Sequence, residues 1–472
     1  MFSTTGRVGK LIATASTLAL ASVGLIGVTA ANAEDIVNKE GSLTIHKSAV
    51  DSFDDRGDNG DGNIIDPAPG PGLAGVEFKI HEVLYKGDII DLTVSEGWDK
   101  VNSLGATPSD PFPGVGSDFG LGDETDVVTG TDGSVTASGL HTGLYYVEEV
   151  GSGNHLISQK VEPFFVTIPY PNKADNTWNY NVHVYPKNVT TGFEATKTVD
   201  APEGLIGQNV PWEISVKVPS LANPYESLTI ADDMTGVLEF VSWGDVTLNG
   251  GTPLVLGTDY EIVNGVIVFT ETGLKKVDTA TADAEATVVV VVNSKVTAVP
   301  EDGVVPNVAS VKLNGNEEKP AASTNVGQLI INKVDETNSA KVLAGAEFAI
   351  YASAPDAQNN PVGEALATGT TDASGVINWK LHLGDKLSQT FWVVETKAPD
   401  GYVLPADPWT DVLVEKGTVT ANTVEIKNFS PEGPDLPLTG AQGTLLFTVA
   451  GIGLMVVAGG ALMVRRARRN HS

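Results

Sequence analysis

The chain has 472 residues, no cysteine and a formal net charge of −30, from 59 acidic against 29 basic side chains. So acidic a protein is a poor partner for nucleic acid or anionic lipid. The absence of cysteine removes thiol catalysis, cysteine-based metal sites and disulfide cross-links together.

At the amino end, Arg7 and Lys10 precede an apolar run from Leu18 to Ala31, and Ala31-Asn32-Ala33 offers small residues for cleavage. Residues 1–33 therefore read as a secretory signal peptide. From Glu34 to Ser430 no long amphipathic helical period appears. Short runs of Val, Ile, Thr and aromatic residues recur between Gly, Pro, Asn and Asp clusters, which predicts antiparallel β-sandwiches. Internal similarity supplies boundaries. Leu43-Thr44-Ile45-His46-Lys47, followed by Leu73-Ala74-Gly75-Val76-Glu77-Phe78-Lys79-Ile80, matches Leu329-Ile330-Ile331-Asn332-Lys333, followed by Leu343-Ala344-Gly345-Ala346-Glu347-Phe348-Ala349-Ile350. Likewise Gly143-Leu144-Tyr145-Tyr146-Val147-Glu148 aligns with Thr390-Phe391-Trp392-Val393-Val394-Glu395. A first domain at 34–190 and a third at 326–430 thus share a fold. Between them, 191–325 opens similarly, with Phe193-Glu194-Ala195-Thr196-Lys197, and reads as a second, related sandwich. Residues 431–472 hold a Pro/Gly spacer, the pentapeptide Leu436-Pro437-Leu438-Thr439-Gly440, an apolar run from Leu445 to Val464 and the basic tail Arg465-Arg466-Ala467-Arg468-Arg469. That run is long enough to cross a bilayer, and the arginines favour the cytoplasmic side.

Strand phase singles out three residue types. Alternate residues of a strand face the same way, so Lys47, Lys197 and Lys333 point with the apolar residues of their strands. At the far end of each domain Asn188, Asn307 and Asn428 do the same. Between them lie three acids in phase with apolar neighbours: Glu148 with Tyr146, Asp232 with Leu228 and Ile230, Glu395 with Phe391 and Val393. A lysine aimed into a core is costly unless it is neutral, paired or consumed by reaction. The chemistry that fits is an intramolecular amide between lysine and asparagine with loss of ammonia, the acid acting as proton shuttle. Burial lowers the amine pKa and raises the carboxyl pKa, and proximity supplies much of the rest. No cofactor is needed.

Little else carries chemistry. His46, His81, His141, His155, His183 and His382 are scattered without metal-ligand spacing. Asp54, Asp55, Asp58, Asp61 and Asp66 make an acidic loop that could take calcium, but its glycines miss the EF-hand offsets, so a solvated loop is the expectation.

Two stretches carry a family resemblance. Phe391-Trp392-Val393-Val394-Glu395-Thr396-Lys397-Ala398-Pro399-Asp400-Gly401-Tyr402 resembles the E-box of sortase-assembled pilins, with Phe391 where the family more often has tyrosine, and Val184-Tyr185-Pro186-Lys187-Asn188 resembles their pilin motif. The pentapeptide with its apolar span and basic tail resembles an LPXTG cell-wall sorting signal. Together they resemble a major (shaft) pilin of Gram-positive bacteria over essentially the whole mature chain. The resemblance implies an all-β architecture of Cna-B-like, Cna-A-like and Cna-B-like sandwiches, and a protein that is not an enzyme. It implies polymerisation by a class C sortase that joins Thr439 of one subunit to Lys187 of the next. It also implies accessory pilins, attachment to peptidoglycan through a housekeeping sortase, and adhesion or biofilm roles. Phase independently sets Lys187 opposite to Asn188, toward solvent. A monomeric wall-anchored adhesin, or a tip or base pilin, would share all of this except the need for Lys187.

Overall fold

The computed structural model describes residues 35–56, 60–104, 118–172 and 176–431. The signal peptide at 1–33, Asp58, the sorting signal at 436–440, the apolar run at 445–464 and the basic tail lie outside them. The chain forms two compact units, one of residues up to Pro202 with Ile206–Val326, the other of Glu203–Leu205 with the residues from Gly327 on.

The first unit holds two sandwiches. In the first, strand Gly41–His46 pairs in parallel with Asn181–Val184 and antiparallel with Ser134–Leu140. One step further along, Ser48–Val50 pairs in parallel with Lys187–Thr190, setting Lys187 opposite Ser48 and Asn188 opposite Ala49. First and last strands are thus neighbours. The facing sheet centres on Glu77–Tyr85, flanked by Gly143–Gly151 and Phe119–Val128. Leu43, Ile45, Phe78, Ile80, Tyr145, Val147 and Val182 fill the space between. A second apolar cluster covers the outer face of that facing sheet: Val83, Leu144 and Tyr146 pack with Ile90, Leu92 and Val101, the last from the short helix Ser95–Ser103.

In the second sandwich, Glu194–Val199, Asn209–Val218, Ala286–Val296 and Leu238–Leu248 make one sheet. Leu228–Asp233, held between Val304–Leu313 and Val266–Phe269, leads the other. The alternation is clean in Ala286–Val296, where Ala286, Val288, Val290, Val292, Ser294 and Val296 are buried. Ser294, polar on this face, is satisfied by Trp212 Nε1, which donates to its Oγ at 2.8 Å. The helix Glu271–Thr281 starts at Thr270, whose side chain accepts from Gly273 N. Gly273 is obligatory there, since a Cβ would meet Asp259 O at 1.9 Å. The two sandwiches of this unit are joined by Ala222 N donating to Ile157 O at 2.8 Å and Asn316 Nδ2 donating to Asn154 O at 2.6 Å.

The second unit is one sandwich. Its first sheet contains Gly204–Leu205, Val376–Gly384, the later part of Ala321–Asp335 and Thr423–Asn428. The facing sheet runs Ala367–Thr370, Glu347–Tyr351, Ser388–Lys397, Trp409–Glu415. Leu329, Ile331, Phe348, Trp379, Leu381, Phe391 and Val393 form the core. Here too the strands that open and close the domain, Ala321–Asp335 and Thr423–Asn428, pair in parallel, with Lys333 opposite Ile426 and Asp335 opposite Asn428. The architecture is all-β in tandem sandwiches, as the alternation implied. The helices among the described residues are short.

Candidate functional site: three buried lysine clusters

Each sandwich buries one lysine beside an acid and an asparagine. In the third, Lys333 is fully buried, and its Nζ donates to Glu395 Oε2 at 3.1 Å. Asn428 lies in the same cluster and donates Nδ2 to Val403 O at 2.6 Å. The Phe348 ring centroid is 5.8 Å from Nζ. Lysine and asparagine come from adjacent parallel strands of one sheet, while the acid reaches across from the other. Burial pushes the Lys333 amine down from its ordinary value and the Glu395 carboxyl up. Both shifts favour a proton moving from amine to acid, which frees a nucleophile without any cofactor.

The second sandwich assembles the same groups differently. Lys197 comes from one sheet, while Asp232 and Asn307 come from neighbouring strands of the other, Asp232 standing opposite Ala309. Lys197 Nζ is paired with Asp232, and the Trp212 ring centroid lies 5.5 Å from Nζ. Burial again lowers the lysine and raises the acid. Asn307 is buried, 1% exposed.

In the first sandwich the expectation for the acid needs correction. Glu148 is partly exposed, on the opposite side of its strand, with Oε1 3.5 Å from His81 Nε2. Glu149 is the buried acid. Its Oε2 lies 2.8 Å from Lys47 Nζ, and it accepts from Asn188 Nδ2 at 2.8 Å (Oε1) and 3.1 Å (Oε2). Lys47 Nζ also donates to Asn188 Oδ1 at 2.5 Å. The phase rule failed because this strand is apolar on both faces: Tyr145 and Val147 point into the sandwich, Leu144 and Tyr146 into the outer cluster against the helix. With Tyr145 set against Phe391 rather than Leu144, Glu149 falls on Glu395. Burial lowers the Lys47 amine to about 8, aided by the nearby Lys160 and opposed by Glu149.

Two features of these clusters had no part in the sequence argument. An aromatic ring stands near each lysine, Phe78 at 5.9 Å in the first domain. Phe78 and Phe348 occupy the same place in the repeated Leu-Ala-Gly segment, so that signal was present. The second feature, Val161 N donating to Asn188 Oδ1 at 2.8 Å, is a backbone contact that no side-chain pattern announces.

Lys187 begins strand Lys187–Thr190 with intermediate burial, beside the wholly buried Asn188. Just before it in the chain, Tyr185 and His183 both stack with His46, at centroid distances of 4.7 and 5.2 Å. In the acidic loop Asp61 accepts from Asn63 N and Nδ2, each at 3.0 Å.

A string of β-sandwiches with buried lysine–acid–asparagine clusters and a wall-sorting signal defines a class of structural surface protein. Comparison with known proteins agrees. Residues 38–189 match the N-terminal domain D1 of Gram-positive pilin subunits, 327–428 a prealbumin-like fold domain, and 430–471 the LPXTG cell-wall anchor motif. The fimbrial subunit type 2 of Actinomyces naeslundii is 34% identical, covering 99% of this chain and 97% of its own. The fimbrial subunit type 1 of Actinomyces viscosus is 29% identical over 91% of each. Among solved structures, the full-length major pilin SpaD of Corynebacterium diphtheriae aligns with 84% of this chain and 98% of its own at 26% identity, with a TM-score of 0.47. The chain belongs to the Gram-positive fimbrial subunits. It is a structural pilin, exported and attached to the cell wall through its carboxy-terminal sorting signal.

Proposed function

We propose that this pilin is the repeating unit of a fimbrial shaft and that each of its sandwiches closes itself with one amide bond. The bonds are Lys47–Asn188, Lys197–Asn307 and Lys333–Asn428, with Glu149, Asp232 and Glu395 as proton shuttles. What carries this reading is that three lysines, three acids and three asparagines meet in dry interiors where burial disfavours the charged form of each lysine. Each reaction is a single self-turnover. In every other respect the protein is a substrate.

Between subunits, a class C sortase would cleave the Thr439–Gly440 bond, hold the Thr439 acyl group as a thioester, and pass it to Lys187 Nζ of the next copy. The partners are therefore further copies of this chain, accessory pilins, and peptidoglycan reached through a housekeeping sortase. Lys187 and Thr439 define the load path: tension enters beside Asn188 and leaves beyond Asn428, through the second and third sandwiches. The internal bonds let that force bypass their hydrogen-bonded cores. Intact-mass measurement of the purified ectodomain tests the internal chemistry, because each bond removes one ammonia. A mass equal to that of the unmodified chain refutes it.

A further inference from the structure

The three clusters share the lysine–acid contact but differ in the hydrogen bonds at the asparagine. In the second and third, the carboxamide oxygens Asn307 Oδ1 and Asn428 Oδ1 have no partner, and one oxygen of each acid, Asp232 Oδ1 and Glu395 Oε1, is also unpaired. Two buried acceptors side by side are satisfied together when one of them carries a proton. A neutral acid donating to the asparagine oxygen meets that need, and burial raises both acids. The first cluster has no such vacancy. Asn188 Oδ1 accepts from Val161 N at 2.8 Å, and Glu149 spends its oxygens accepting from Asn188 Nδ2 and Lys47 Nζ. The segment carrying Val161 is held in place by Lys160, whose Nζ donates to Glu149 O at 3.2 Å.

We propose that the Val161 backbone N–H is a catalytic group of the first domain, holding the oxyanion that develops on Asn188 Oδ1, the task of the protonated acid in the other two. The inference rests on the amide-forming reading above. Neutral Lys47 Nζ adds its lone pair to Asn188 Cγ, and the carbonyl π pair moves to Oδ1 against the Val161 N–H. Glu149, as carboxylate, takes one proton from Nζ and delivers it to Nδ2. The Cγ–Nδ2 bond breaks with its electron pair on nitrogen, ammonia leaves, and the C=O re-forms as the amide.

This route starts from a state with one proton fewer than the neutral amine and neutral acid of the other domains. The charged groups facing Lys47 are Glu149 and Lys160, and its amine titrates near 8. Closure of the first domain should therefore speed up about tenfold per pH unit up to about pH 8 and then level, while the other two stay flat.

The test is a short cell-free synthesis of the full ectodomain, a pH jump to between about pH 6 and about pH 9, timed quenching, and mass spectrometry of the three cross-linked peptides. Val161→Pro removes the donor and Val161→Ala retains it. Loss of one oxyanion donor should slow Lys47–Asn188 formation roughly 100-fold or more in Val161→Pro, with Val161→Ala and the other two bonds unaffected. Equal rates in the two variants overturn the proposal, as does a flat wild-type profile for the first bond. Should Val161→Pro not fold, the wild-type pH profile decides alone. If the second and third bonds form but the first never does, only the role of Val161 falls. If none forms in the wild type, the amide-forming reading falls with it.

Discussion

Asn428→Ala removes the carboxamide that Lys333 would attack but leaves the Lys333–Glu395 pair at 3.1 Å intact. Its cost is therefore that of the covalent closure plus one hydrogen bond, Asn428 Nδ2 to Val403 O. Cross-linking the ends of a loop of roughly 100 residues restricts the unfolded chain by about 4.7 kcal/mol if the disulfide loop-entropy relation carries over. A domain of that size loses about 4–8 °C of melting temperature per kcal/mol, so its transition should fall by roughly 20–35 °C. Glu395→Ala adds a second penalty. The bond is again not made, and Lys333, fully buried, is left without its counter-charge, a further ~3–5 kcal/mol. Together these approach the whole stability of a typical domain. Calorimetry of the full ectodomain, with intact mass on the same samples, reads both effects. The reasoning is refuted if the parent shows the loss of ammonia and Asn428→Ala nevertheless melts within a few degrees of it.

Three further outcomes are expected. Lys187→Ala should abolish the high-mass ladder on denaturing gels when the chain is expressed with its sortase, and an unchanged ladder would mean that another amine carries the fibre. Glu149→Ala should block the Lys47–Asn188 bond while Glu148→Ala leaves it unchanged, as peptide mapping will show. Both ring nitrogens of His382 are buried without partners, and burial holds its pKa near 4, against 6.5 for the free side chain. A folded pKa below the unfolded one means stability that is complete above about pH 6.5 and lost as pH falls toward 4, up to about 3 kcal/mol. Melting curves across that window should show the loss, and His382→Leu should lack that share of it.

The strands that open and close each domain were legible because a sandwich with one wet face writes its burial as alternation. In Leu329, Ile331 and Lys333, all wholly buried, one parity names the core and the reactive amine together. Glu149 was not legible for the complementary reason. Where a helix covers the outer face of a sheet, both parities turn apolar, and a one-residue slip costs the sequence pattern nothing. Domain type gave no warning that the second cluster draws its acid and asparagine from one sheet and its lysine from the other. That depends on long-range strand pairing, which local pattern does not encode. Val161 stayed hidden for a stricter reason, since a backbone donor leaves no trace in residue identity.

The placement of the bonds along the chain carries a mechanical prediction. If Lys197–Asn307 and Lys333–Asn428 are closed, force entering at Lys197 passes directly to Asn307, and force reaching Lys333 passes directly to Asn428. The main chain between the two welds, residues 308–332, remains in series and unprotected. Most of it is held by antiparallel ladders, Val304–Leu313 with Leu228–Asp233 and Val304–Val308 with Ala321–Asn325, and its last residues, Ile330–Asn332, by a parallel ladder with Thr423–Glu425. This segment should be the first part of the loaded path to yield. Fully extended it supplies at most roughly 80–90 Å of contour, far less than an unwelded sandwich of about 100 residues, which would release on the order of 300 Å. Single-molecule stretching from Lys187 to the carboxy end of the ectodomain should show only short steps, assignable to 308–332 and to the few residues between Lys187 and Lys197. Asn307→Ala should add the long extension of the second sandwich, and Asn428→Ala that of the third. A long extension in the wild type would show that force does not bypass the cores.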